Sequence, residues 1–365
     1  MHRTLFASLT ALSLLACGGS STRSQTADRA DDAEDEDAIV DEASYEAHEG
    51  DDEEEATGGG FVDSAMLRGS GSVPPLTLGE PVPVPGTGVT VRPPEGARPM
   101  PFGAGFIAPR QRVQVSVVVA EGDEDLLESI RTGGNPDAPP PEHVEEITID
   151  GVDARVGRDR VRTPGGVLER LWLLAHDGTR GMGVVATYEA NRADAYRVPL
   201  RESLADVAWD RDATLDAAAA LGIDVGPVEG LEASHRSTAN LVLLEPESDF
   251  PPEPEQVVVT VSPLPMQIPP DQIERACQSI VARLVPVPAS AVSHEGSVED
   301  GEMTGCERLA TAETREGLQV ATYAALLFAR GMPVLMTASV DAEQLETWRE
   351  RFASAARSVR LRPQQ

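Results

Sequence analysis

The residues able to do chemistry in this chain are few and scattered. Its histidines stand singly, at His48, His143, His176, His235 and His294, beyond the His2 of the leading residues. His143 is followed by Val144-Glu145-Glu146, which departs from the HExxH arrangement that sets two imidazoles on one helix face around zinc. His176-Asp177 opens a turn, where turn chemistry is a sufficient role for both side chains. Ser70 and Ser72, in GSGS, lack the strand-to-helix setting of an activated nucleophile. The glycines at Gly58 to Gly60 have no following lysine and no flanking strand, so they form no phosphate loop. Acidic residues abound, which makes any choice of a catalytic carboxylate pair arbitrary. Residue spacing therefore points to no catalytic set, no cofactor site and no metal site.

Of the three cysteines, Cys17 closes a distinct leading segment. His2 and Arg3 give it a positive start, and an apolar run from Leu5 to Ala16 follows, interrupted only by small hydroxyl residues. That run is shorter than the ~20 residues a membrane span needs and has the length of a secretory signal core. It ends in Leu14-Leu15-Ala16-Cys17, followed by Gly18-Gly19-Ser20-Ser21. This resembles the bacterial lipoprotein signal, in which a small residue precedes a cysteine that is lipidated and becomes the mature N-terminus. The resemblance implies a signal peptide over residues 1–16 and acylation of Cys17, palmitate included. It also implies a lipid-anchored place in the bacterial cell envelope, at the outer membrane or periplasmic face rather than the inner membrane. An ordinary cleaved signal with an incidental cysteine is the alternative. Acylation by more than one chain anchors durably, because each buried methylene adds ~0.8 kcal/mol.

The stretch from Asp28 to Glu55 holds sixteen acidic residues and one basic residue, Arg29, about half the charge excess of a chain whose net charge is −31. With Tyr45 as its one aromatic, it cannot bury enough surface to offset its ordering entropy. The Gly/Ser-rich TGGGFVDSAMLRGSGSVPP continues it, so residues 17–75 read as a disordered linker of ~40 Å mean reach. Weak divalent cation binding, or contact with a basic partner, is the functional alternative to a solvated spacer.

From about Leu76 the composition is globular, and the chain repeats itself. GVTVRPPEG from Gly88 matches GIDVGPVEG from Gly222. An offset of 150 then pairs Ser129-Ile130 with Ser279-Ile280, Asp150-Gly151 with Asp300-Gly301 and Arg158 with Arg308. The same offset pairs Leu168 with Leu318, Gly181-Met182 with Gly331-Met332, Val184 with Val334 and Thr187 with Thr337. Two tandem copies follow, 76–210 and 211–365. Each reads as short strands (GVTV, GAGFIAP, RVQVSVVVAEG), a helix (EDLLESIRT), four longer strands separated by turn signals, and a closing helix, Ala193 to Ala208 in copy one and Ala342 to Ser358 in copy two. The fold class is α+β, an antiparallel sheet packed by helices and present twice.

This order resembles the PsbP-like α/β/α fold of photosystem-associated proteins and exported bacterial lipoproteins. The carriers are the opening strand ending in Pro-Glu-Gly or its counterpart, the mid-domain helix, the meander of strands, and the passage from Gly181-Met182 to Thr187 with its repeat. The usual Phe-x-x-Pro-x-x-Trp opening is missing from both copies.

Cys277 falls in the mid-domain helix of copy two and Cys306 in a later strand, and the offset of 150 places them on Leu127 and Val156. Helix and sheet are then expected to touch at these positions, by packing in copy one and by a disulfide in copy two. Export permits that bond, which would contribute roughly 3 kcal/mol in the loop-entropy model. Two buried free thiols are the alternative.

All thirty basic residues are arginine, and a sequence pI near 4.4 argues against nucleic acid, whose phosphates need clustered cations. Arg158, Arg160 and Arg162 share one face of a predicted strand, an interaction face for an acidic partner or the solvated side of a half-buried sheet. The sequence is thus read as a non-enzymatic envelope lipoprotein. It would be held to the membrane by its lipid anchor, presenting two modules on an acidic tether to an envelope protein partner or a ligand. The alternative is a hydrolase-like envelope enzyme whose site lies in the groove between the copies.

Overall fold

The computed structural model describes residues 75–122, 125–132, 138, 140–163, 165–248, 256–264, 268–284, 292–300, 303–313, 317–329 and 332–362. The signal segment with Cys17, the acidic run 28–55 and the linker up to residue 74 lie outside the described residues, as do Gly301 and Gly331 of the repeat.

The first half runs β1 (Val82–Val84), β2 (Val89–Val91), β3 (Arg98–Pro99), β4 (Gly105–Ala108), β5 (Val113–Glu121), α1 (Asp125–Thr132), β6 (His143–Ile149), β7 (Val152–Thr163), β8 (Gly166–His176), β9 (Arg180–Glu189), α2 (Ala193–Ala205) and β10 (Ala208–Trp209). A short helix, α3 (Ala217–Leu221), leads into the second half. There the order is β11 (Ile223–Asp224), β12 (Glu232–Ala233), β13 (Leu241–Leu244), β14 (Val258–Pro263), α4 (Ile273–Leu284) and β15 (Val292–Asp300). It ends with β16 (Met303–Glu313), β17 (Gln319–Ala329), β18 (Met332–Asp341), α5 (Leu345–Ser358) and β19 (Arg360–Leu361).

Two antiparallel sheets of seven strands result, ordered β3-β4-β5-β9-β8-β7-β6 and β12-β13-β14-β18-β17-β16-β15. Strict alternation builds them. In β5 the side chains of Val113, Val115, Val117 and Val119 are buried on one face, where Tyr196, Leu200 and Leu204 of α2 meet them. The other face carries Trp172 and Leu174 beneath Leu127 and Ile130 of α1. In the second half α5 covers one face through Trp348 and Phe352, and α4 the other through Cys277 and Val281.

The chain closes each half in the same way. After α2, Ala208 and Trp209 pair with Thr90 and Val89; after α5, Arg360 and Leu361 pair with Asp224 and Ile223. Gly88 and Gly222, which open the two matched sequences, both have left-handed φ, +70° and +69°. A Cβ on Gly88 would lie 2.6 Å from the carbonyl oxygen of Asp210, so that turn requires glycine.

The ladders revise the 150-residue offset beyond the helices. Leu127, Ile130 and Arg131 correspond to Cys277, Ile280 and Val281, as expected. Val156 and Arg158, however, face the α2 side of their sheet, whereas Cys306 faces α4. The residue pairing with Leu174 is Arg155, and the one pairing with Leu326 is Cys306, so Arg155 is the counterpart of Cys306 and Gly157 that of Arg308. Further on, Leu171 opposite Ala186 becomes Tyr323 opposite Ala338, an offset of 152 (171 to 323, 186 to 338). A slip of one residue exchanges faces and a slip of two does not. The identities on β8 and β9 therefore kept their faces, while those on β7 did not.

The halves fasten their front helices differently. In the first, Arg131 of α1 and Arg170 of β8 both bind the buried carboxylate of Asp159, at 3.3 and 2.6 Å. The counterparts in the second are Val281, Thr322 and Ala310, and there Cys277 and Cys306 form a disulfide. The two halves also touch. The buried Thr238 donates its backbone N–H to Val119 O at 2.9 Å and its hydroxyl accepts from Val119 N at 2.9 Å, extending β5 into the second half. Leu215 and Ala220 belong to the first core, Ala217 and Leu221 to the second.

Candidate functional site

A cleft of about 480 Å³ opens between α5 and the β15–β17 edge of the second sheet. Its floor is set by cross-strand rows. His294, Leu309 and Tyr323 form one row, and Gly296, Glu307 and Ala325 the next. Glu307 thus has the two smallest neighbours on either side, and the diagonal side chains fold onto it. The buried Tyr323 hydroxyl donates to Glu307 Oε2, and His294 Nε2 donates to Glu307 Oε1 at 2.9 Å. A Cβ on Gly296 would stand 3.1 Å from that His294 nitrogen and 3.4 Å from Glu307 Oε1, so the glycine makes the room. Burial, with the hydrogen bond to Glu307 and its negative charge behind it, pushes the Tyr323 phenol far above the ordinary tyrosine range, against the opposing charge of Arg357.

The wall is the exposed flank of α5, with Arg349, Glu350, Ala353, Ser354 and Arg357. Tyr196, Leu200 and Leu204 are buried from α2 as Trp348, Phe352 and Ala356 are from α5, again 152 apart (196 to 348, 200 to 352, 204 to 356). Arg197 then corresponds to Arg349, Arg201 to Ala353 and Ala205 to Arg357. In the first half Arg201 forms a salt bridge with Glu145 of the edge strand β6. Glu145 lies opposite Val156, as Gly296 lies opposite Glu307, so the second half replaces both partners of that bridge by Gly296 and Ala353. The cleft occupies the place where the first half is closed.

The first half spends its charges internally. Glu169, fully buried, accepts the Tyr188 hydroxyl at 2.6 Å, Arg197 Nε and Nη2 at 2.8 and 3.0 Å, and Arg160 at 3.2 Å. Burial raises the carboxyl's pKa, and the hydrogen bonds from Arg197 and Tyr188 with the charge of Arg197 outweigh it, so the net displacement is downward. On the second sheet the position of Glu169 is held by Ala321 and that of Tyr188 by Val340. Arg349 thus retains the place of Arg197 without its carboxylate, and among the described residues neither Arg349 nor Arg357 makes a side-chain hydrogen bond or a salt bridge, although the charge of Arg357 is felt at Tyr323.

The residues singled out in the sequence fall as follows. Cys17 lies outside the described residues. Arg158 and Arg160 flank Glu142, at 3.6 and 3.8 Å, and Arg160 also reaches Glu169, so that face is largely neutralised from within, leaving Arg162 exposed. His176 accepts from Gly178 N and bonds Gly122 O at 2.8 Å, a turn role, while His235 bonds Leu215 O. Among the described residues no group of three or more His, Cys, Asp and Glu is placed to hold a metal, and no helix is long and apolar enough to cross a membrane. The described cleft is lined by residues of the second half alone, and not by both copies as the enzyme alternative expects. Its Glu307 and Tyr323 were not legible as a pair, although a charged residue at an inward position of β16, between Gly305 and Leu309, was a signal for it.

No protein-family model matches the chain, and no curated protein matches it. Solved structures that align with it include cyanobacterial PsbP from Synechocystis, with 14% identity over 38% of this chain and 82% of that one at a TM-score of 0.25. LpqN of Mycobacterium tuberculosis, described as involved in cell envelope biogenesis, aligns with 12% identity over 39% of this chain and 83% of its own, TM-score 0.28. The type VI secretion immunity protein TplEi of Pseudomonas aeruginosa aligns with 12% identity over 76% of this chain and 96% of its own, TM-score 0.31. The resemblance to PsbP-like proteins is one of fold alone.

Proposed function

We propose that this is a non-enzymatic lipoprotein of the bacterial cell envelope, anchored through Cys17. It presents two α+β modules, 76–210 and 211–365, on an acidic tether, and binds an envelope partner protein through the cleft of the second module. The observation that carries this reading is the exchange of the Glu145–Arg201 salt bridge for Gly296 and Ala353, which opens a polar cleft on a repeated scaffold. Clefts of this size with a few convergent polar groups are the usual form of a binding site. The leading segment that ends at Cys17 supports the envelope location, and the acidic stalk would keep the modules clear of anionic headgroups.

The pairing of His294 with the buried Glu307 favours a second reading, a hydrolase that uses His294 as its base. That reading needs a nucleophile in reach, and Ser354 makes no hydrogen bond to His294 among the described residues. Ester or peptide turnover lost in H294A would support the enzyme.

The experiment is affinity capture from detergent-solubilised envelopes with the full protein and with C17S, recording the intact mass of each bait. One envelope protein enriched in near-equal amount with the lipidated bait supports the proposal. An unmodified bait that comes down alone overturns it.

A further inference from the structure

The two cleft arginines that make no salt bridge among the described residues, Arg349 and Arg357, say what it takes. We infer that the cleft binds an extended acidic peptide segment of a protein partner, whose carboxylates pair with Arg349 and Arg357; this rests on the binding reading above.

The first half supplies the template. There Arg197 holds a carboxylate of the chain itself, Glu169, through two nitrogens, the geometry that suits guanidinium to carboxylate. The second half keeps the arginine, as Arg349, and replaces both the carboxylate and its tyrosine by Ala321 and Val340. The internal acid has gone and the cation faces an open cleft. Arg357, where the first half has Ala205, adds a second cation close to the Tyr323–Glu307 pair. Among the described residues Glu307 makes no salt bridge with either arginine: one of its oxygens accepts from Tyr323 and the other from His294, so its buried charge is directed at those two side chains and the guanidinium groups keep their donors for a ligand.

Spacing sets the ligand's form. Arg349 and Arg357 are eight residues apart on α5, so their backbones are separated by roughly 12 Å. An extended chain covers about 13 Å in four residues, which places carboxylates of residues i and i+4 at the two arginines. Glu350, beside Arg349, repels a third carboxylate next to the first and so disfavours an unbroken acidic run. The acidity of the whole chain does not prevent binding, since beyond about 8 Å such repulsion is screened at physiological ionic strength.

The test titrates the full protein with a Ser/Gly octapeptide carrying glutamate at its second and sixth positions. The comparisons are the same peptide with glutamines, R349Q, R357Q, R98Q as a surface control, and inorganic phosphate as competitor. Saturable binding of the glutamate peptide is expected, weakened roughly five- to tenfold by each cleft substitution and left alone by R98Q. The glutamine peptide should bind at least as weakly as the glutamate peptide binds the variants. No saturable binding, binding indifferent to R349Q and R357Q, or displacement by phosphate as effective as by peptide overturns the inference. Repeating the envelope capture with the R349Q/R357Q double variant separates the two proposals. A partner still captured leaves the platform standing and removes the acidic-peptide site. A partner lost together with peptide binding supports both. Peptide binding by the wild type with no partner captured overturns the platform and keeps the site.

Discussion

Ala321 occupies on the second sheet the position that Glu169 occupies on the first: Glu169 lies opposite Tyr188, and Ala321 opposite Val340. The first module thus satisfies its helix arginine, Arg197, internally, and the second, with Ala321 and Val340 in place of the acid and its tyrosine, gives Arg349 no such carboxylate. The pairing of the two halves makes this visible, because each is the reference state for the other.

Glu169 is the keystone of the closed half. Replacing it by glutamine keeps the shape but leaves Arg197 without its charge partner, and breaking a buried pair from one side is strongly destabilising. Because Arg197 remains partly exposed, E169Q is expected to cost about 2–3 kcal/mol, less than the 3–5 of a fully buried pair. The net pKa displacement of Glu169 is downward, so its contribution is present above the unfolded carboxyl value near 4.3 and is lost as pH falls through the folded one. Denaturant unfolding of wild type and E169Q at pH 7 and at pH 3 checks this: the difference should shrink in acid.

Alkali should act through the two buried phenols. Burial and the hydrogen-bonded carboxylate beneath each raise the pKa of Tyr188 and Tyr323 well above the ordinary tyrosine value. The folded state therefore holds protons that the unfolded state releases near pH 10, and stability is full below that pH and declines above it. Absorbance at the phenolate band should show these two tyrosines ionising only as the fold opens. Y323F should remove one of them from the late phase and destabilise the protein by roughly 1.5–3 kcal/mol, the range for a hydrogen bond to a charged group.

The disulfide joins α4 to β16 across 29 residues of sequence. Its removal in C277S/C306S is expected to lower the stability of the second half by roughly 3 kcal/mol. The first half, fastened by Asp159 with Arg131 and Arg170, should be unaffected except through the Thr238–Val119 junction. Hydrogen exchange resolved by segment checks this, with faster exchange expected in α4 and β16 and unchanged protection in α1 and β7.

Much of this architecture is legible in the sequence because alternation and turn residues are local signals. β5 follows from VQVSVVVAE, and the helix expected from Ala342 is found as a short 3₁₀ turn, Ala342–Gln344, leading into α5. The closing helix of the first half ends at Ala205 rather than Ala208, since Ala208 and Trp209 are drawn into pairing with β2. The site was not legible because it depends on phase. The offset of 150 pairs Cys306 with Val156, whereas its ladder counterpart is Arg155, and a slip of one residue turns every side chain to the other face. With that phase corrected, His143 and His294 fall on equivalent edge positions, and Gly296 stands where Glu145 would close the cleft.

The correspondence between Arg201 and Ala353 can be tested by moving the side chain. A353R places a guanidinium on α5 where the first half has Arg201, over the same edge of the sheet. Gly296 offers it no carboxylate across the sheet edge, and Glu350 stands one turn away on the same flank, so the new side chain lies along the cleft wall, filling space and competing for the entrance. An exposed arginine on a helix flank changes stability little, and even a formed surface bridge contributes only about 0–1 kcal/mol. The variant should therefore melt within a few degrees of the wild type while the imidazole of His294 becomes protected from modification by an acylating reagent such as diethyl pyrocarbonate. If His294 reacts at the wild-type rate in A353R, position 353 does not stand over the sheet edge as Arg201 does in the first half, and α2 and α5 are not equivalent in their placement.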